Sequence, residues 1–200
     1  DFLRSIDSES VDMIFADPPY NIKKAEWDTF QSQQAYVEWS IEWIREAQRV
    51  LMPTGSLYIC GFSEILADLK WAASPLFKGC KWLVWHYRNK ANLGKDWGRS
   101  HESILHFRKS THFKFNIDNV RVPYNAHTLK YPTHPQAESS QYNNSKKNGN
   151  KYVWTPHPKG AKPKDVFQIP TLSNHSWERV EHTTQKPVEL VRKFVEASSD

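Results

Sequence analysis

The chain is poor in the residues that staple, ligate or activate. Two cysteines, Cys60 and Cys80, among 200 residues cannot build a disulfide framework or a cysteine-based metal cluster. Both lie in apolar surroundings, where a thiol packs as a small core side chain. No Pro-Cys pair is present, so a thiolate attack on a pyrimidine carbon has no nucleophile. His127, His134, His157, His175 and His182 show no His-x3-His or comparable spacing, and no metal site is expected. Nor do serine, histidine and aspartate residues form a nucleophile motif. No apolar run approaches the length of a membrane span and no signal segment is visible, so a soluble, cytoplasmic protein without a membrane partner is expected. The sequence opens at Asp1 without a methionine, in what reads as a loop or helix before the first strand, and therefore reads as a fragment.

What is present centres on Val11-Asp12-Met13-Ile14-Phe15-Ala16-Asp17-Pro18-Pro19-Tyr20. The apolar run reads as a buried strand. Pro18 forces Asp17 out of helical geometry, and two prolines remove two backbone donors, so strand pairing must stop there. The result is a rigid turn carrying one carboxylate, bare carbonyls and one aromatic face at the carboxyl end of a strand, the edge where open α/β sheets bind ligands. Asp17 and the Pro18 carbonyl are acceptors that match the two hydrogens of an exocyclic amine on a nucleobase, and Tyr20 offers a ring to stack on it. A strand ending in an ordinary proline-rich turn, with Asp17 as a cap or a surface charge, is the alternative.

The length suits one domain with a substantial core. Gln33 to Leu51 predicts a helix with Val37, Ile41, Ile44 and Leu51 on one face, ended by Pro53 and Gly55. Ser56 to Cys60 predicts a strand, Ser63 to Ala73 a helix capped by Ser63, and Lys81 to Tyr87 a further strand. This alternation predicts a doubly wound α/β sheet. His101 to Arg108 returns as a strand with no long helix before it, which predicts an antiparallel edge hairpin with the preceding one. Asn21 to Phe30 reads as a polar, mobile loop whose Trp27 either packs locally or helps to close over a base.

Composition shifts near Ser110. Between Ser110 and Lys164 nine basic residues face two acids, Asp118 and Glu138, so the rest of a chain of net charge +5 is on balance acidic. Phe113, Phe115, Tyr124, Tyr131, Tyr142, Tyr152 and Trp154 are interleaved with the charge. Basic side chains neutralise phosphates and aromatics stack on bases, so a nucleic-acid-contacting insert is one reading. A solvated loop with incidental charge, flexible over Ser139 to Asn150, is the other. The predicted organisation is a core over 1–109, an insert over 110–164 and a return to the core over 165–200. After the insert, Asp165 to Pro170 reads as a short strand. Thr184 is placed to cap a helix with Pro187 in its first turn, and Val188, Val191, Phe194 and Val195 line its apolar face. A helix amino terminus beside Lys186 is a potential anion site, or merely a capped helix.

Asp17-Pro18-Pro19-Tyr20, followed by Asn21, resembles the catalytic motif of the amino-group DNA methyltransferases. His182-Thr183-Thr184-Gln185-Lys186-Pro187 with Leu190 resembles that family's cofactor-side motif. Their order is that of the beta class. The resemblance implies a three-layer Rossmann-like methyltransferase sheet with an antiparallel edge hairpin and a target-recognition insert. It implies S-adenosylmethionine as cofactor, double-stranded DNA as partner and a flipped base as substrate. Asp17, Pro18, Pro19 and Tyr20 become the catalytic residues, and Asp17, Thr183, Thr184, Gln185, Lys186 and Pro187 the cofactor-binding ones. Lys95, Arg99, Lys114, Arg121, Lys130, Lys146, Lys147 and Lys151 become DNA contacts. The reaction implied is methylation of N6 of adenine, because an acid stands where serine is common in the cytosine group. N4 of cytosine, or a non-catalytic DNA-binding relative, are the alternatives. The family's glycine-rich cofactor loop, of the type Asp-Pro-Phe-x-Gly-x-Gly, is expected beyond Asp200. A prokaryotic or phage origin and a restriction–modification context follow from the resemblance; a cognate restriction endonuclease, and monomer against homodimer, stay open.

Overall fold

A computed structural model describes residues 2–87, 95, 97–135, 153–182 and 184–200. They form two compact units, one of 1–116 with 164–200 and a smaller one of Ile117–Pro163.

The larger unit is built on a five-stranded mixed sheet. Its strands are β1 (Val11–Ala16), β2 (Leu51–Gly61), β3 (Gly79–His86), β4 (His101–Arg108) and β7 (Val166–Gln168), in the order β1-β2-β4-β3-β7. β1 and β2 run parallel, linked by helix α1 (Gln33–Val50). β3 and β4 form the expected antiparallel hairpin, in register from Gly79 opposite Arg108 to His86 opposite His101. The hairpin is not outermost, because β7 pairs in parallel with β3 through Val84, Trp85 and His86.

Side-chain alternation along the strands feeds two cores. Leu57, Ile59, Leu105 and Phe107 meet α1 and α2 (Ser63–Ala73) on one face. Tyr58, Cys60, Leu83, Trp85 and Ile104 meet Leu190 and Phe194 of the C-terminal helix Val188–Ser198 on the other. The three-layer Rossmann-like arrangement is thus dictated by period-2 strands covered by helices on both faces. Each fully buried Leu or Ile contributes roughly 1.5–3 kcal/mol relative to an exposed one.

Local details depart from the sequence-based expectations. The buried stripe of α1 is Tyr36, Ser40, Ile44, Ala47 and Val50, one residue round from Val37 and Ile41, which pack at its border. β2 begins directly after α1. Its Met52–Gly55 segment is excluded from pairing, since Val11 faces Leu51 while Met13 already faces Ser56. Ser63 does not cap α2: Phe62 is the cap residue, and the Ser63 hydroxyl donates to Glu64 at 3.1 Å. At the β2–α2 junction a Cβ on Gly61 would meet the Leu66 side chain at 2.8 Å, so only glycine lets the strand end approach the helix this closely.

Ser110–Asn116 stays with the larger unit. Lys114 Nζ reaches Asp12 at 3.0 Å and Asp200 at 2.8 Å, and the Asn116 N–H donates to the Ala197 carbonyl at 2.7 Å. The smaller unit holds α3 (Ala126–Lys130) and the short strands β5 (His134–Pro135) and β6 (Val153–Trp154). The last helix of the chain, Val188–Ser198, is α4. Within the smaller unit Arg121 and Lys159 both clasp Asp118, at 2.7 and 2.9 Å. Gly160 turns at φ +107°, where a Cβ would sit 2.6 Å from the Val122 carbonyl oxygen.

Candidate active site

β1 delivers Asp17 to the carboxyl edge of the sheet, where the prolines end pairing. The neighbouring strand ends bring up Cys60 and Glu102, and the segment before α4 brings up Lys186. Lys186 Nζ lies 2.9 Å from Asp17 Oδ2 and 3.4 Å from Glu102 Oε2, with its side chain only 9% exposed. The Tyr20 hydroxyl lies 2.8 Å from Asp17 Oδ1 and 3.0 Å from Glu102 Oε2. One hydroxyl proton serves two carboxylates, so Tyr20 bridges them as an alternating donor. The rings of Tyr20 and Trp85 flank the ammonium, with centroids at 5.3 and 6.0 Å. Two motif blocks and a third residue, far apart in sequence, thus form one cluster.

Its electrostatics follow from burial. Desolvation works against the Lys186 ammonium, but Asp17 and Glu102 outweigh it and hold its pKa above the ordinary lysine value. Burial, reinforced by Cys60, Asp17 and Glu102, pushes the Tyr20 hydroxyl far above the usual phenol range, so it stays a neutral donor. Burial likewise raises the Cys60 thiol well above its ordinary value, which leaves it inert. Two carboxylates face one ammonium, so the cluster as a whole carries one uncompensated negative charge.

The loop after Tyr20 is held rather than mobile. The carboxylate of Asp28, 2% exposed, accepts the backbone N–H groups of Tyr20, Asn21, Ile22 and Lys24 at 2.6, 2.8, 3.3 and 3.1 Å. Asn21 and Lys23 adopt left-handed conformations, φ 55° and 58°, that curl the chain around it. Asn21 Oδ1 then accepts from the Phe30 N–H at 3.0 Å. Trp27, 55% exposed, lines a cavity of about 230 Å³ together with Asp17, Pro18, Pro19, Tyr20, His182, Thr184 and Lys186. A second cavity of about 340 Å³ is lined by Glu102, Phe62, Trp85, Arg179 and Gln185, with Tyr20 and Lys186 again in its wall. A third, of about 590 Å³, opens beside Asp17 and Pro18 against Trp39, Glu42, Trp43 and Glu46.

Other expected site residues meet different partners. The Tyr20 ring packs edge-on against Phe62, centroids 5.0 Å apart. Thr184 does not cap α4. The cap residue is Pro187, and the first free N–H, that of Val188, donates to Glu178 Oε2 at 2.9 Å. The helix end therefore already holds an anion of the chain itself, and Lys186 faces Asp17 and Glu102 rather than an open anion site. Gln185 clamps the preceding loop, accepting from the Val180 N–H at 2.9 Å and donating to the Glu178 carbonyl at 2.6 Å.

Three cations expected to contact DNA are committed inside the chain. Arg99 pairs with Glu64 at 2.7 Å and lies over the Phe62 ring at 3.8 Å. Lys114 bridges Asp12 and Asp200. Arg121 pairs with Asp118 and donates to the Gly160 carbonyl at 2.9 Å. Lys95 and Lys130 are exposed, the latter 5.3 Å from the Tyr131 ring. Lys146, Lys147, Lys151 and Thr183 lie outside the described residues. Among the described residues no acid–His–Cys group could hold a metal, and no helix is long and apolar enough to cross a membrane.

Glu102 and Asp28 carry no motif signal. Glu102 lies 82 residues from Tyr20 and meets it only through strand pairing. Asp28 shows in the sequence merely as an acid after a lone tryptophan.

Comparisons with known proteins agree with this geometry. The sequence is 29% identical to the Type II methyltransferase M1.MboII of Moraxella bovis, over 100% of this chain and 76% of that protein. It is 30% identical to the DNA adenine methyltransferase YhdJ of Escherichia coli, over 99% of this chain and 64% of that protein. The chain thus spans about two thirds to three quarters of these relatives. Among solved structures, the PvuII DNA methyltransferase, specific for cytosine N4, superposes with a TM-score of 0.66 at 14% identity, covering 99% of this chain and 67% of that one. A complex of M1.HpyAVI with S-adenosylmethionine superposes at 0.51 and 16% identity, covering 100% and 70%. The family described as DNA methylase matches residues 11–200, and the chain belongs to this family.

Proposed function

We propose that the protein transfers a methyl group from S-adenosylmethionine to N6 of adenine in double-stranded DNA. The observation that carries this reading is Asp17, fixed at the end of β1 by Tyr20 and Lys186 while one side of its carboxylate lines an open cavity. Each oxygen of Asp17 spends one lone pair on these partners and keeps another for an incoming amine.

S-adenosylmethionine supplies, when bound, a methyl group made electrophilic by a sulfonium centre. The cluster suits that cation, because its two carboxylates outnumber its one ammonium. The 230 Å³ cavity lies below the roughly 300–1,000 Å³ usual for whole ligands, so it suits one base or the reactive end of the cofactor. The 590 Å³ cavity beside Asp17 and Pro18 has room for the rest, with Trp39 and Trp43 as ring surfaces. Trp43 also has a buried indole N–H with no partner among the described residues.

In this mechanism the base is rotated out of the duplex. Asp17 and the Pro18 carbonyl accept its amine hydrogens, and Tyr20 offers ring surface to the base while its hydroxyl orients Asp17. Lys186 holds the carboxylate in place, and Trp27 lines the same cavity. Catalysis is positioning plus stabilisation of positive charge developing on nitrogen. Thr184, Gln185 and Pro187 shape the cofactor side by fixing the loop before α4. Lys95, Lys130, Lys146, Lys147 and Lys151 contact the DNA backbone.

The acid at position 17 and the adenine specificity named for YhdJ support adenine. Cytosine N4 is the second reading; the PvuII likeness, at 14% identity, speaks to the fold alone. The Type II names of the relatives support a role in restriction–modification, in a prokaryotic cytoplasm and with a cognate endonuclease as functional partner. The test uses protein expressed from its complete reading frame, incubated with S-adenosylmethionine and unmodified DNA, with the digested nucleosides identified by mass spectrometry. N6-methyladenine is the expected product. N4-methylcytosine would keep the mechanism and change the base, and DNA binding without any methylated base would leave only a binding module.

A further inference from the structure

Transfer of a methyl group to an amine leaves a proton to dispose of, and the cavities that Asp17 lines are the ones that base and cofactor fill in the reading above. The two oxygens of Asp17 are engaged by Tyr20 and Lys186, and the ammonium has no lone pair to accept a proton. The Tyr20 hydroxyl does have one. It touches Asp17 on one side and Glu102 on the other, at 2.8 and 3.0 Å. Tyr20 and Lys186 also line two cavities, with Asp17 in the lining of one and Glu102 in that of the other. The carboxylates therefore line different cavities and share one hydroxyl.

We propose that Glu102 is the proton acceptor of the reaction, reached from Asp17 through the Tyr20 hydroxyl. The proposal rests on the methyltransferase reading above. The amine nitrogen forms its bond to the methyl carbon as the carbon–sulfur bond breaks and sulfur keeps that electron pair. The aminium nitrogen gives one proton to Asp17. Tyr20 passes its hydroxyl proton to Glu102 and takes the proton from Asp17, so both end as they began. Glu102 is left neutral and returns the proton to water in the second cavity.

Charges balance throughout. The cluster starts one negative charge in excess and ends with two carboxyl groups, one neutral, against one ammonium. Tyr20 never carries net charge, which its burial would oppose. Among the described residues, the groups acting on Glu102 are Asp17 and Tyr20 from the β1 turn, Cys60 from the end of β2, Tyr87 after β3 and Lys186 before α4, and the cations Lys24 and Arg179 line the same cavity. Cys60 and Tyr87 are both pushed toward their protonated forms by burial, Tyr87 up to about 12, so neither competes for the proton.

The experiment compares kcat of the wild-type protein, Glu102→Gln and Glu102→Asp from pH 6 to 9, together with the dissociation constants for DNA and S-adenosylmethionine. At saturating S-adenosylmethionine, Glu102→Gln is expected to lower kcat by ten-fold or more near pH 6, with the dissociation constant for DNA unchanged and that for S-adenosylmethionine raised, because one of the two carboxylates that favour the cation is then neutral. The deficit should shrink as pH rises, because hydroxide then removes the proton from Asp17 directly. Glu102→Asp, which keeps a carboxylate but draws it back from Tyr20, should show a smaller deficit with the same pH trend, and serves alone if the glutamine variant does not fold. A kcat ratio that is flat with pH, or a loss that lies in DNA affinity, overturns the relay while leaving the methyltransferase intact. A wild-type protein that methylates no base overturns the reaction itself, and the relay with it.

Discussion

Two carboxylate–cation clusters in this chain have almost the same bond lengths and opposite significance. In the smaller unit Asp118 is held by Arg121 and Lys159 at 2.7 and 2.9 Å. At the end of β1 Asp17 is held by Lys186, again at 2.9 Å. The Lys159 side chain is 65% exposed, that of Lys186 9%. Water screens the first cluster, and its two cations over-satisfy one acid. The second is largely buried beside Tyr20 and Trp85, meets the outside only through the cavities that Asp17 and Glu102 line, and is short of one positive charge. Distance alone does not mark a functional ion pair. Desolvation and a charge left uncompensated do, because together they create a place where an incoming cation gains.

The largest effect expected from this contrast is at Lys186 and Asp17. Lys186→Met strands two carboxylates in a largely dry site and should destabilise the protein by about 3 kcal/mol, the scale for breaking a buried pair from one side. It should also remove methyl transfer. Asp17→Ala should lower transfer by on the order of 10³-fold or more, while DNA binding stays near wild type. Urea unfolding and a methylation assay on both variants check this. Retained methylation by Asp17→Ala would sink the assignment of that carboxylate.

Next comes Asp28, which shares with Asp17 a buried carboxylate but is satisfied by backbone N–H groups alone. Asp28→Ala leaves four donors without their acceptor and should destabilise by roughly 2–3 kcal/mol, the loop relaxing toward water to recover some of the loss. Because the loop carries Ile22, Lys24 and Trp27 to the cavity, kcat should fall with it. Asp28→Asn, with a single acceptor oxygen, should fall between. Full activity in Asp28→Ala would show that the curled loop is not needed to shape the site.

These residues also show how far the sequence reaches. The strand and turn Val11–Tyr20 are legible because everything that shapes them, an apolar run and then two prolines, is local. The helices and the β3–β4 hairpin are legible from periodicity and spacing. Glu102 is not, because its role is set by the register that places it opposite Trp85 and near Tyr20. Asp28 is not, because a carboxylate wrapped by its own loop needs the two left-handed residues, Asn21 and Lys23, that composition does not announce. Caps fail for a related reason. Ser63 and Thr184 have the right chemistry, yet a shift of one to three residues in the helix start hands the role to Phe62 and Pro187. Cations mislead most: Arg99, Lys114 and Arg121 look like a DNA surface and are spent on Glu64, Asp12, Asp200 and Asp118.

Salt dependence separates committed cations from those that meet phosphates. Replacing Lys130, Lys146, Lys147 and Lys151 together with glutamine should weaken DNA binding and flatten its dependence on salt, by about 0.9 in log–log slope for each phosphate no longer neutralised. The same change at Arg121 should leave the slope alone. An unchanged slope in the lysine variant would mean the basic stretch does not hold the DNA.

A smaller, pH-dependent effect is expected in the core. His106 is 5% exposed, lies 3.0 Å from the Ser56 hydroxyl and stacks on Tyr58 at 4.3 Å. Burial, aided by Arg108 and Lys81, lowers its pKa from 6.5 to about 3. Between these values the unfolded chain binds a proton that the native state refuses, so stability is full above pH 6.5 and is lost as pH falls toward 3. At pH 4.5 the loss should be roughly 3 kcal/mol. A His106→Gln variant should show a shallower fall in urea midpoint between pH 7 and 4.5, and an equal slope would remove His106 as the cause.

The smallest effect is expected at the exposed cluster. Asp118 is pulled down to about 2 by its hydrogen bonds to Lys159 and Arg121, so its pairing is fully present above its ordinary value near 3.8 and is lost as pH falls to about 2. The carboxylate is nevertheless solvated, and exposed pairs of this kind return little because water and salt do most of what the partner does. Asp118→Asn should leave the melting midpoint at pH 7 unresolved from wild type, with methylation unchanged. A loss as large as that of Lys186→Met would contradict the role given to desolvation. It would mean that the shared bond length, rather than the water around it, sets what each cluster contributes.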